Sequence, residues 1–247
     1  MDPGFYGVVA VDAPVGLGVT GSRFCTLQGV VKTDSTDAAY TVANEYVASR
    51  IAGLLGLPVP PGAIAELDDG TKAFVMMKFG KKGDKPPPAD AQDFVQKRPR
   101  LAAGIVLFDA WLLNADRHDR NLAWYPDGQG SAAIFDHGHA LFGTEAGKGV
   151  DHLEALLNNP ALGFGCLIGE LSVVPDVEAW VEQIRAVRDT AIQDICQSLA
   201  GLGVCTPAES VKLEGVLINR RNALRSFVQS SHDKFTKIDD TDWGLNL

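Results

Sequence analysis

The chain has 247 residues, 46% of them hydrophobic, and a mean hydropathy of +0.03. That sustains a sizeable core and argues against bulk disorder, and the length suits one large domain or two lobes around a cleft. Acidic residues outnumber basic ones 31 to 22, giving a net charge of −9 and a sequence pI near 5.0, so the basic footprint of a nucleic-acid binder is missing.

Residues 1–10 carry no basic region followed by an apolar stretch, so no signal peptide is expected. Residues 5–32 read as β-strands punctuated by glycines. Phe24, Leu27, Val30 and Val31 flank a Gln28-Gly29 turn signal. Ser35-Thr36-Asp37 are N-cap residues, and a helix is predicted from there to about Leu55. Its apolar stripe is Ala43, Val47, Ile51, Leu54 and Leu55, and Gly56 and Pro58 end it. Residues 59–79 read as two strands around an Asp69-Gly70 turn.

Residues 80–88 are rich in Lys, Gly and Pro and read as an exposed connection, which puts a lobe boundary near Lys78. Helices are predicted over Leu101–Asn114, Val177–Ala200 and Pro207–Gln229, with one short strand at Ser131–Phe135. The apolar run 101–113, interrupted by Asp109, is too short to span a bilayer, which takes about 20 residues. Residues 230–247 are polar and are expected to be loosely ordered. Cys25, Cys166, Cys196 and Cys205 form no CxxC pair and read as scattered, reduced core residues, as in a cytosolic protein. The predicted class is α+β: a small β-rich lobe with one helix over residues 1–79, and a larger, mainly helical lobe over 80–247.

Gly16, Gly18 and Gly21 make a G-x-G-x-x-G. A dinucleotide fold needs a helix directly after it, and a strand-like stretch follows instead. Ser22-Arg23 stands where a P-loop requires Lys-Ser/Thr. A glycine loop between strands is the arrangement that covers ATP phosphates in kinases, with Ser22 and Thr20 close to them. Lys32 ends the apolar strand Gly29–Lys32, where kinases keep a phosphate-pairing Lys. Glu45 lies on the following helix, where they keep its partner. Met76 and Met77, at the end of the last strand before the boundary, are candidate nucleotide contacts.

Asp116-x-x-x-x-Asn121 has the spacing of a kinase catalytic loop, in which the Asp receives a hydroxyl proton and the Asn binds Mg²⁺. The strand at 131–135 then delivers Asp136-His137-Gly138, an Asp-x-Gly of the type that presents a second metal ligand. Asn121 and Asp136 supply the hard oxygen ligands that Mg²⁺ takes together with phosphate oxygens.

The loop reads Asn114-Ala-Asp116-Arg117-His118-Asp-Arg-Asn121, with Asp-Arg-His in place of the usual His-Arg-Asp. It resembles the atypical group that contains the phosphatidylinositol 3-/4-kinases and the bacterial HipA-type kinases. Asn44–Pro60 and Ile134–Leu141 resemble the corresponding segments of compact HipA-like kinases, so the likeness covers residues 16–142. It implies a two-lobed fold with ATP and Mg²⁺ between the lobes. Asp116 then matches the catalytic Asp, Asn121 and Asp136 the metal ligands, Lys32 the phosphate-binding Lys, Glu45 its partner, and His118 a histidine that assists catalysis. The glycine loop matches the group less closely.

The function expected is a cytoplasmic Ser/Thr protein kinase with a protein substrate, no nucleic-acid partner and no stable membrane insertion. A kinase of small molecules or phosphoinositides, a nucleotide-binding module without turnover, and transfer of AMP remain open at this stage. A lipid substrate would favour a basic, apolar loop. Lys78, Lys81, Lys82 and Lys85 are basic, but Phe79 is the single aromatic beside them.

Overall fold

A computed structural model describes residues 6, 8–16, 21–80, 88–125, 131–157, 159, 165–239 and 243. Strands β1 (Val8–Pro14) and β2 (Arg23–Leu27) form an antiparallel hairpin. Strands β3 (Gly29–Thr33), β4 (Gly62–Glu66) and β5 (Lys72–Met77) form a second sheet in the order β3-β5-β4. Helix α1 (Thr41–Leu55) packs on that second sheet. The larger part holds α2 (Ala91–Lys97), α3 (Pro99–Leu112), a hairpin of β6 (Leu122–Trp124) and β7 (Ala132–Ile134), then α4 (Gly149–Leu157), α5 (Val174–Arg185), α6 (Asp189–Gly201) and α7 (Pro207–Ser230).

Helix α1 starts later than the Ser35–Asp37 cluster predicts. Ser35 and Ala38 exchange backbone hydrogen bonds instead, and the cap comes from Asp34, whose Oδ1 accepts the Val42 amide at 2.9 Å. The helix ends as expected at Gly56, in the left-handed region at φ 69°. Leu54, assigned to the buried stripe, is half exposed. Asn44 and Glu45 are buried in its place, so the inward face is partly polar.

Helix α3 is buried along nearly its whole length. Its last-turn carbonyls would be orphans. Arg220 of α7, itself fully buried, donates to the carbonyls of Ala110 (2.6 Å) and Trp111 (3.0 Å), and to those of Leu156 and Asn159 (both 2.8 Å). Burial lowers the Arg220 pKa to about 10. The indole of Trp111 donates to the Leu217 carbonyl at 2.9 Å. The end of α3 is thereby fixed to α4 and α7.

The single helix predicted over Val177–Ala200 is two. The apolar spacing that runs Val177, Trp180, Val181, Ile184 meets Arg188 where the next inward residue is due, and the chain turns. Arg221 of α7 donates to the Val187 carbonyl at the bend and pairs with Asp189 at 2.6 Å. In the tail, expected to be loose, the described residues Phe235, Ile238 and Trp243 are buried, with the Phe235 and Trp243 rings packed edge-on at 5.0 Å. The four cysteines are free. Cys25, expected in the core, is exposed on β2, whereas burial pushes the Cys196 thiol up to about 12. Among the described residues no helix is long and apolar enough to cross a membrane.

Candidate active site

Strand β3 places Lys32 opposite Phe74 of β5, on the face that α1 covers. Glu45, one turn into α1, meets it there. Lys32 Nζ donates to Glu45 Oε1 and, at 2.9 Å, to Oδ1 of Asp136, 104 residues further along the chain. The expected Lys32–Glu45 pair is therefore formed, and Asp136 joins it. Burial acts to lower the Lys32 pKa, but the two carboxylates outweigh it and raise the value, so the ammonium stays charged. Burial likewise pushes the Glu45 carboxyl up. Hydrogen bonding from His137 and the nearby Lys32 ammonium reverse this and hold it at about 2.

Asp136 follows β7 with φ 66°, a left-handed conformation that Asp tolerates better than most residues but that still costs on the order of 1 kcal/mol. Both flanking peptide groups are held. The Phe135 carbonyl accepts from Arg117 Nη1 at 2.9 Å, and the His137 amide donates to Glu45 Oε1 at 2.9 Å. The Asp136 carboxylate itself is half exposed, open to a ligand. Asn44 secures the segment beyond it. Its Nδ2 donates to the carbonyls of Gly138 (2.7 Å) and Gly143 (3.2 Å), and its Oδ1 accepts the Phe142 amide at 3.1 Å. Sequence reasoning gave Asn44 no role. A buried amide beside Glu45 on the inward side of a helix was the available signal.

The loop carrying Asp116 leaves α3 through Leu113, left-handed at φ 50°, and Asn114. The Asn114 amide and Nδ2 both return to Asp109, at 2.9 and 2.8 Å. Asn121 Nδ2 donates to the Asp116 carbonyl at 2.9 Å and reaches its Oδ2 at 3.3 Å. These two bonds use the Asn121 Nδ2 and leave its Oδ1 outside them. His118 Nδ1 accepts the Arg120 amide at 3.1 Å, which puts the proton of a neutral ring on Nε2, 3.9 Å from Asp116 Oδ1. The Asp116 and His118 side chains are both about half exposed. Arg117 does not brace Asp116; it pairs with Asp109 in the interior.

The remaining expected contacts divide. Met76 lies on the Lys32 face of the sheet and is buried, whereas Met77 alternates to the opposite face, so one of the two side chains is on the side of the Lys. Val15 N donates to the Ser22 carbonyl at 2.9 Å and closes the glycine loop. Gly16 and Gly21 take positive φ (84° and 61°) in open space. Gly18 and Thr20 lie outside the described residues, as do Lys81, Lys82 and Lys85. Phe79 is buried against Tyr125, at 5.8 Å between rings, and is no membrane anchor.

The donor set fits Mg²⁺. Asp136 and Asn121 offer hard oxygens. Two protein oxygens of this kind are a number that Mg²⁺ commonly takes, with phosphate oxygens and water as its other ligands.

The fold is that of a kinase. It is similar to the crystal structure of the Helicobacter pylori proinflammatory kinase CtkA, with a TM-score of 0.59 and 17% identity over 82% of this chain and 91% of that one. The toxin HipA of Shewanella oneidensis, in its complex with HipB and operator DNA, matches with a TM-score of 0.45 and 14% identity over 94% of this chain and 67% of that one. No protein-family model matches the sequence, and no curated protein does.

Proposed function

We propose that this chain is an ATP- and Mg²⁺-dependent phosphotransferase, a Ser/Thr protein kinase of the HipA-like type, with its lobes divided near residue 79. The observation that carries the reading is the meeting of Lys32, Glu45 and Asp136, which come from a strand, a helix and a loop far apart in sequence. A buried Glu fixing a Lys next to a half-exposed, conformationally strained Asp has the form of a phosphate and metal site rather than a structural ion pair.

In this reading Lys32 pairs with the nucleotide phosphates, and Asn121 and Asp136 hold the Mg²⁺, which when bound neutralises phosphate charge. Asp116 accepts the proton of the acceptor hydroxyl as its oxygen bonds to the γ-phosphorus. The bond from that phosphorus to the β–γ bridging oxygen breaks, and ADP leaves. His118, whose Nε2 lies 3.9 Å from Asp116 Oδ1, assists from beside it. The burial of Phe79 removes the aromatic that a lipid-facing loop would need, which favours a protein acceptor over a membrane one.

The test is transfer of label from γ-labelled ATP to protein, measured beside nucleotide binding by thermal shift. Wild type should show a Mg²⁺-dependent shift, and Asp136→Ala should lose its metal-dependent part. Asp116→Asn should lower kcat about 10²–10⁴-fold and leave ATP affinity within a few-fold. Transfer of α-label instead of γ-label would replace phosphate transfer by AMP transfer.

A further inference from the structure

We infer that Arg117 is a positioning residue that sets the spacing between the two metal-ligating side chains, Asn121 and Asp136, and with it the preference of the site for Mg²⁺. The inference rests on the kinase reading above.

Arg117 is almost wholly buried, and all five N–H donors of its guanidinium are used. Nε and Nη2 grip the Asp109 carboxylate from one side, at 2.9 and 3.1 Å. Nη2 also contacts His137 Nε2 at 2.8 Å. Since a guanidinium only donates, that ring nitrogen accepts, and the His137 proton of a neutral ring sits on Nδ1, 3.6 Å from Glu45 Oε2. The remaining nitrogen, Nη1, donates to two carbonyls: that of Asn121 at 2.6 Å and that of Phe135, the residue before Asp136, at 2.9 Å. One nitrogen thus spans the backbones of both ligand-bearing positions, beside a single ladder bond from Phe135 N to Asn121 O of 3.2 Å. The guanidinium is planar and rigid, and its far edge is fixed through Asp109 to α3, which Arg220 holds in turn.

Mg²⁺ requires near-ideal octahedral geometry, while Ca²⁺ accepts longer and more variable distances. A support that fixes the separation of two ligands therefore acts on the choice between these ions more than on the nucleotide. Lysine keeps the charge but not the fork, so Arg117→Lys can hold at most part of this set.

The experiment is a thermal-shift titration of wild type and Arg117→Lys with ATP alone, with ATP and Mg²⁺, and with ATP and Ca²⁺. The variant should lose about tenfold or more in apparent Mg²⁺ affinity, the scale typical of support residues around metal ligands. Its response to ATP alone should stay within a few-fold, and its Mg²⁺-to-Ca²⁺ preference should fall. A merely structural role predicts equal weakening for both ions, and an unchanged preference in the folded variant overturns the inference. If Arg117→Lys does not fold, Asp109→Asn carries the same test. It removes the charge that grips the far edge of the guanidinium, and the preference should fall in the same direction; a preserved preference again overturns the idea. A wild-type protein that responds to ATP with neither ion sinks the kinase reading and this inference together. A normal wild type beside a variant of unchanged preference sinks the inference alone.

Discussion

The loop that carries Asp116 and Asn121 stands on buried, hydrogen-bonded side chains, whereas every residue of β1 and β2 is exposed. Beneath the loop, Asp109, Arg117, Asn114 and Arg220 are all nearly inaccessible and join α3, α4, α7 and Phe135, the residue just past β7. In the hairpin, Val8, Val9, Val11 and Phe24 face solvent. A two-stranded hairpin without a packed face is marginal by itself. The difference teaches where rigidity is spent. On the proposed reading, groups that must hold geometry through a reaction are set in the interior, and a segment that must admit and release a ligand is held mainly by its own ladder.

The comparison is broken most directly at Asp109. Asp109→Ala leaves Arg117 charged, buried and without its carboxylate. Losing one member of a buried pair typically costs about 3–5 kcal/mol. Denaturant unfolding should show a fall of that size, with Asp109→Asn less affected because it keeps one acceptor oxygen. A loss below about 1 kcal/mol would mean that the buried floor is not what holds the loop.

A smaller effect is expected from pH. The Glu45 carboxyl sits at about 2 in the fold, against an ordinary 4.5. A carboxyl with a lowered folded pKa stabilises the native state above its unfolded value. That contribution drains away as pH falls from about 4.5 towards about 2. Wild type should therefore lose thermal stability steeply across this window. Glu45→Gln should be less stable at pH 7 but should lose less on going from pH 5 to pH 3. Parallel acid limbs for the two proteins would show that Glu45 is not the group responsible.

Much of this contrast was legible in the sequence, and the part that was not has physical causes. The pairing of Lys32 with Glu45 could be read because a strand Lys and a Glu on the following helix are residue types in a recognisable order, and the structure brings Asp136 of the Asp136-x-Gly138 segment to the same place. The supports could not. Arg117 and Asp109 are eight positions apart and read as ordinary charges until the fold removes their water. Asn44 shares no apolar pattern with its helix. At the break between α5 and α6 the Val187 carbonyl is bonded by Arg221, 34 residues on, a contact that local spacing does not announce. The start of α1 was misplaced because Asp34 reaches over an intervening bridge to cap it, which no local cap rule anticipates. The tail was read as polar because Phe235, Ile238 and Trp243 are spaced too widely for either periodicity.

The smallest expected effect sharpens the comparison from the other side. Phe24 is 60% exposed on β2, so it contributes little burial that a substitution could remove. Phe24→Ser should change unfolding free energy by no more than about 0.5 kcal/mol, the usual range for surface positions. Serine lacks the β-propensity of phenylalanine, so the hairpin itself should open more often even while global stability holds. Amide exchange separates the two. Protection in β1 and β2 should already be far lower than in α3 in wild type, because hairpin amides open locally while those of α3 require global unfolding. In Phe24→Ser the hairpin amides should exchange faster still, and α3 should be unchanged. Adding Mg²⁺ and ATP should slow the hairpin amides in both proteins if this segment closes over the nucleotide. A loss of more than about 1 kcal/mol in Phe24→Ser, or slowed exchange in α3 instead of the hairpin, would mean that the strands bear on the core and that the two regions are not mechanically distinct.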